Sequence, residues 1–163
     1  MPKPDTFQQP DDDTRALIRQ LIDGASEAAL ATLRPDTGTP SVTRIAIATA
    51  PDGAPMSMVS SLAHHTAALE ANGACSLLIS APEDKGDAMN HARLTLHCTA
   101  RVIPNDAPER PGLRAHFLRQ RPKSKLYVDF PDFRFLTFGI ENGLLNGGFG
   151  KAYILTPGDI LTP

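Results

Sequence analysis

Residues 60 to 66 read Ser-Ser-Leu-Ala-His-His-Thr, so three hydroxyls and two imidazoles fall just before AALEANG, a stretch of helical composition stopped by Gly73. Unpaired amides and the positive end of the helix dipole gather at such a start, and with hydroxyls and imidazoles beside them they suit a phosphate monoester. The same residues also suit a plain helix start, with Ser61 or Thr66 as the capping hydroxyl. Arg44, in the preceding run SVTRIAIATA, adds a guanidinium able to grip phosphate with two donors, or else is a solvated strand residue. His64 and His65 are adjacent and cannot share a metal as an i, i+4 pair does. No HExxH or CxxC pattern accompanies them, so no metal site is expected. P-loop, GxGxxG and GxSxG patterns are also missing; GGFGK at 147 to 151 lacks the phosphate-loop spacing and reads as a bulged strand or a ligand contact.

These groups must be positioned by their elements. Residues 1 to 13, with the acidic cluster Asp11, Asp12 and Asp13, read as a flexible arm before a single domain over 14 to 163. Asp13 or Thr14 can cap a first helix with Ala16, Leu17, Leu21 and Ala25 as its apolar positions. AALATLR (28 to 34) and residues 41 to 50 form a hairpin across a turn supplied by Pro35, Asp36, Gly38 and Pro40. In its second strand Val42, Arg44, Ala46 and Ala48 point one way, and Thr43, Ile45, Ile47 and Thr49 the other. PMSMVSSL, CSLLIS, ARLTLHCTARVI, DFRFLTFGIE and LLNGGFGKAYIL supply further strands, with a polar loop containing Glu83 and Asp84 between the second and third of these. Six or seven strands without regular strand-helix alternation predict a mainly β fold with inserted helices, a mostly antiparallel sheet closed into a small barrel.

Composition narrows the function. In 163 residues, sixteen basic and eighteen acidic side chains give a net charge of -2, so no overall field holds nucleic acid or an anionic membrane. Residues 110 to 125 do carry six basic side chains and no acid, with a helix break at Pro122; few aromatics interleave, which predicts a solvated helix face or a subunit contact. Cys75 and Cys98 read as buried free thiols rather than a disulfide framework. The polar, acidic N-terminus lacks the pattern of a secretory signal and no apolar run approaches the roughly 20 residues of a span, so a cytoplasmic protein is expected.

The succession of helix, ATL strand, VTRIAIAT, SMVSSLAHHTAALEANGACSLLI, FRF and NGGFGKAYIL resembles the pyridoxamine 5'-phosphate oxidase-like FMN-binding split-barrel superfamily, in its haem-utilisation (HugZ-like) branch. The likeness covers roughly residues 14 to 160, and is most specific at Ser60, Leu62, His65 and Thr66 and at GGFGKAY. It implies a homodimer of split β-barrels with FMN in clefts at the subunit interface, and an oxidoreductase activity on an unknown small-molecule substrate. Arg44 matches the cationic position that meets the FMN phosphate, and the backbone of Ile45, Ala46 and Ile47 would run beside the isoalloxazine ring. Ser60 and Ser61 would face the ribityl phosphate. His65 and Thr66 fall where oxidases have an Arg-Lys pair, so phosphate binding would rest on hydrogen bonds more than on fixed charge. Phe149 and Lys151, on the last strand, would approach the cofactor from the second subunit. TPGDILTP lacks the Arg-x-His of true pyridoxamine phosphate oxidases, and the last histidine is His116, which separates the chain from relatives that ligate haem near the C-terminus. The alternative the resemblance leaves is a protein that binds haem without flavin turnover, through His64, His65 or His116.

Overall fold

The computed structural model describes residues 7–82 and 85–162. Residues 1–6 of the expected arm and Glu83 and Asp84 of the polar loop lie outside the described residues. Further along the same segment, Gln8 donates its backbone N–H to Ala152 O at 2.8 Å, and its side-chain amide to Gly150 O at 3.2 Å.

Seven strands form one antiparallel sheet: β1 (Glu27–Leu33), β2 (Pro40–Thr49), β3 (Pro55–Ser60), β4 (Ala74–Ser80), β5 (Arg93–Ile103), β6 (Phe133–Asn146) and β7 (Ala152–Leu155). Their order is β3-β2-β1-β4-β5-β6-β7, and β3 also pairs with β6, which closes the first six into a barrel and leaves β7 as a flap. This is the mainly antiparallel split barrel that the strand count and the resemblance both imply. Period-two alternation fills its interior, with Leu30, Ile45, Ile47, Leu77, Ile79, Leu94, Leu96 and Leu136 all buried.

Among the described residues four α-helices pack on the sheet: α1 (Asp12–Gly24), α2 (His64–Ala71), α3 (Arg110–Gln120) and α4 (Pro157–Ile160). α1 is capped by Asp11, whose carboxylate accepts from Thr14 N at 2.8 Å, rather than by Asp13 or Thr14. Its buried positions are Thr14, Ile18, Leu21 and Ile22; Ala16 is exposed, so the stripe lies beside the one read from the sequence. The basic stretch breaks as expected, α3 ending at Gln120 and Pro122–Leu126 forming a 3-10 turn. α3 seals a second apolar cluster outside the barrel, in which Phe117 meets Phe135 edge-on at 5.6 Å beside Met56, Met58, Ile103 and Val128.

One strand assignment is corrected. LLN belongs to the 14-residue β6, and residues 147 to 151 make the hairpin turn into β7, not a bulged strand. Gly148 and Gly150 have φ of 118° and 73°, a left-handed conformation that turns favour and side chains resist. The bulge lies elsewhere, where the β5–β6 register shifts between His97 and Cys98.

Phe117 is fully packed and α3 depends on it. Phe117→Ala is expected to cost about 3–5 kcal/mol of stability, measured as a lowered urea midpoint. A shift worth under about 1 kcal/mol would show that the second cluster does not hold α3.

Candidate functional site

The end of β3 is tied to the start of β6. Ser60 pairs with Phe133, and the residue before Phe133 then serves both serines: Ser60 Oγ donates to Asp132 Oδ2 at 2.9 Å and Ser61 N to Asp132 O at 2.6 Å. Ser60 Oγ also accepts from Leu62 N at 3.2 Å. Thr66, 0% exposed, donates its hydroxyl to Ser60 O at 2.6 Å and so anchors α2 to the same corner. Neither Ser61 nor Thr66 caps the helix. The capping residue is Ala63, which brings no side-chain acceptor to the first turn.

Beside that start is a cavity of about 550 Å³, lined among others by Thr32, Arg34, Asp36, Ser41, His64 and His65. Arg34 Nη2 lies 2.8 Å from Asp36 Oδ2, which orients the guanidinium from the β1–β2 turn. His65 Nε2 is buried with no hydrogen-bond partner. Burial first, and the neighbouring His64 second, push the His65 pKa below the usual imidazole range, so the ring is neutral near pH 7. An orphaned buried imidazole nitrogen is costly and calls for a partner.

Arg44 lines a different cavity, of about 430 Å³ on the outer face of β1, β2 and β4, with Glu27, Val42, Leu78 and Ser80 among its walls. Its side chain is 76% exposed and 3.6 Å from Glu27 Oε1. Ile45 and Ile47 send their side chains into the barrel core, and the Ala46 carbonyl already accepts from Ser57 Oγ at 2.6 Å. The backbone of Ile47 is engaged on both sides, its N–H by Ser26 O and its carbonyl by Arg121. Phe149, 97% exposed, and Lys151 sit on the β6–β7 turn, not on the last strand.

The fold therefore joins Ser60, Ser61 and Thr66 at one corner and His65 to Arg34 in one cavity, while Arg44 lines another. Arg34, Asp36 and Ser41 were not anticipated; the only signal was a basic residue directly before the Pro-Asp-Thr-Gly turn. Among the histidines considered for haem, His116 is committed at both nitrogens, Nε2 to Thr49 O and Nδ1 to Arg119, each at 2.7 Å, which removes it as an iron ligand. His64 is exposed and His65 keeps a free nitrogen.

Comparison with known proteins follows this geometry. The pyridoxamine 5'-phosphate oxidase family matches residues 14–145. The chain is 37% identical, over 121 residues, to the chloroplastic non-canonical heme oxygenase HOZ of Arabidopsis thaliana, a match spanning 73% of this chain and 36% of that protein. Among solved structures, an Agrobacterium tumefaciens protein of unknown function is 33% identical with a TM-score of 0.82, over 94% of this chain and 62% of that one. A heme binding protein from Mycobacterium smegmatis is 26% identical with a TM-score of 0.79, over 94% of this chain and 61% of that one. The chain thus spans about a third of the plant protein and about three-fifths of the two bacterial ones. Two of these three relatives are haem proteins by name. Among the described residues no helix is long and apolar enough to cross a membrane. With the split barrel, the Ser60–Thr66 corner and a match over residues 14–145, the chain belongs to the pyridoxamine 5'-phosphate oxidase family.

Proposed function

We propose that the chain binds FMN as the cofactor of an oxidoreductase, with the phosphate lodged at the start of α2. The observation that carries this reading is His65, which lines the 550 Å³ cavity and whose Nε2 is buried without a partner. With the ring turned so that Nε2 faces the cavity, a phosphate oxygen would satisfy it, alongside Arg34, the Ser41 hydroxyl and the first-turn amides that Ala63 leaves without a side-chain acceptor. Ser60 and Thr66 act as positioning residues through their bonds to Asp132 and to each other. Arg44, beside Ala29 on the outer face, would meet the remainder of the cofactor. The flavin supplies the redox chemistry when bound, and the protein orients it and shields it from water.

The relatives support a second reading, haem held in the same cavity with His65 as ligand, since a histidine nitrogen is a common axial ligand of haem iron. Parallel titrations separate the two. FMN fluorescence quenching that saturates in the wild type, and is weakened by about 1.5–3 kcal/mol in both Arg34→Ala and His65→Ala, supports the flavin reading. A Soret shift lost in His65→Ala, without FMN uptake, replaces it with haem. If only Arg44→Ala weakens FMN, the phosphate belongs to the outer-face cavity.

The assembly we propose is a homodimer through the outer sheet face. Register partners form one continuous row across this face: Arg44, Ala29, Leu78, Thr95, Leu144 and Ile154, with Leu78, Leu144 and Ile154 exposed to water. Val42, 69% exposed, extends the apolar strip, which a second copy would cover. Such a copy gives the flavin ring a second wall, to which the exposed Phe149 and the neighbouring Lys151 can contribute. Sedimentation equilibrium should give twice 17.5 kDa, and Leu144→Glu should return the monomer mass. A monomer that still binds FMN tightly overturns the shared site.

His65 also makes a pH prediction for the ligand-free protein. Its folded pKa lies below the unfolded value of about 6.5, so the unfolded chain binds the extra proton first. The stability His65 permits is intact above about pH 6.5 and falls as the pH drops through that value toward the folded pKa. Urea midpoints across this window should slope downward with acid in the wild type and less so in His65→Gln. An unchanged slope would mean that the ring is not held neutral.

A further inference from the structure

Cys75 on β4 and Cys98 on β5 are register partners, directly opposite each other across an antiparallel ladder. Residues so paired have Cα atoms about 4.5–5.5 Å apart, inside the roughly 4.4–6.8 Å that a disulfide spans. Both lie on the inward side of the sheet near the barrel rim, as free thiols. Cys98 is buried, whereas Cys75 is half-buried, and both line a surface cavity of about 440 Å³ with Ser76, His97 and Glu141. The register shift beside His97 and Cys98 loosens the ladder to β6 at this level, giving the backbone room to adjust.

We propose that Cys75 and Cys98 form a redox-active dithiol, closed reversibly to an intramolecular disulfide by low-molecular-weight disulfides. The roles of the two sulfurs differ. With Cys98 beside it the Cys75 thiol is held below the usual thiol range, while the same neighbour, and burial after it, push the Cys98 thiol up. Cys75 is also the more exposed of the two, so it attacks and Cys98 resolves. In the first step the Cys75 thiolate attacks one sulfur of the oxidant RSSR, forming a mixed disulfide and releasing one RS⁻. Cys98 then loses its proton and attacks the Cys75 sulfur, forming the Cys75–Cys98 bond and expelling the second RS⁻. The protein dithiol is oxidised by two electrons, and RSSR is reduced to two RSH. The flavin and haem readings play no part in either step.

Incubation of the purified, reduced chain with oxidised glutathione tests this. The expected result is joint loss of both titratable thiols and an intact mass lower by about 2 Da, for two hydrogens. A single peptide pair linked through Cys75 and Cys98 should appear after proteolysis, and dithiothreitol should restore both thiols. Cys98→Ser should stop at one glutathione on Cys75, and Cys75→Ser should leave Cys98 unmodified. The wild-type mass decides the matter even if a variant fails to fold. A stable glutathione adduct with no product lighter by two hydrogens, a disulfide between two chains, or thiols that react only in denaturant would each overturn the proposal.

Discussion

Closure of the sheet through β3 and β6 is the constraint on which the rest of the molecule depends. Joining those strands removes two open edges and sets the register that puts Ser60 opposite Phe133. Asp132 then lies where it can accept from Ser60 Oγ and Ser61 N together, and Thr66 pins the next helix to the same carbonyl corner. A barrel of six strands has a narrow interior, and this one is filled by leucines and isoleucines. Open cavities are left to the barrel ends and the outer face, where those lined by His65 and Arg44 are found.

Arginines do much of the tying between elements. Arg19 of α1 reaches Ile160 O at 3.1 Å and Gly53 O at 2.7 Å, joining three segments distant in sequence. A Cβ at Gly53 would stand 2.7 Å from that guanidinium, so the turn and the arginine are matched. Arg114 grips Asp129 through two bonds of 2.7 and 2.6 Å, Arg110 lies over the Phe135 ring, and Arg121 reaches Ser26 O and Ile47 O. A planar fork with several donors does this where an ammonium cannot. The basic stretch of 110 to 125 is therefore partitioned, its arginines turned largely to internal carbonyls and carboxylates and its two lysines to water.

The parts legible in the sequence were those governed by short periods. Alternation along β2 separated Arg44 from Ile45 and Ile47 correctly, because a strand exposes every second residue whatever surrounds it. The glycines at 147, 148 and 150 were harder, since a bulge and a hairpin turn both ask for a left-handed backbone and only the partner strand distinguishes them. The stripe on α1 moved to Ile18 and Ile22 because the barrel decides which of two adjacent apolar rows faces inward. Arg34 escaped notice for a different reason: its cavity is assembled from the β1–β2 hairpin and α2, segments 30 residues apart, with no motif of its own. The double engagement of His116 was likewise invisible, since Thr49 comes to it through tertiary packing.

The charge balance of the His65 cavity bears on what kind of ligand it can hold. Arg34 is already paired with Asp36, and His65 is neutral, so the wall offers oriented donors and little net positive potential. A small free anion gains little from such a wall, because its hydration must be replaced by hydrogen bonds alone. A ligand whose phosphate is tethered to a planar, apolar body gains more, provided the body meets a surface of its own. On the proposed reading the outer-face row running from Arg44 and Ala29 to Ile154 would be such a surface, small-sided at Ala29 and apolar farther along. Weak fixed charge at the phosphate end and an uncovered apolar face on the sheet are then two parts of one requirement. On the proposed flavin reading, discrimination would fall to the shape of the tethered body, and affinity would depend on the second copy that completes the face.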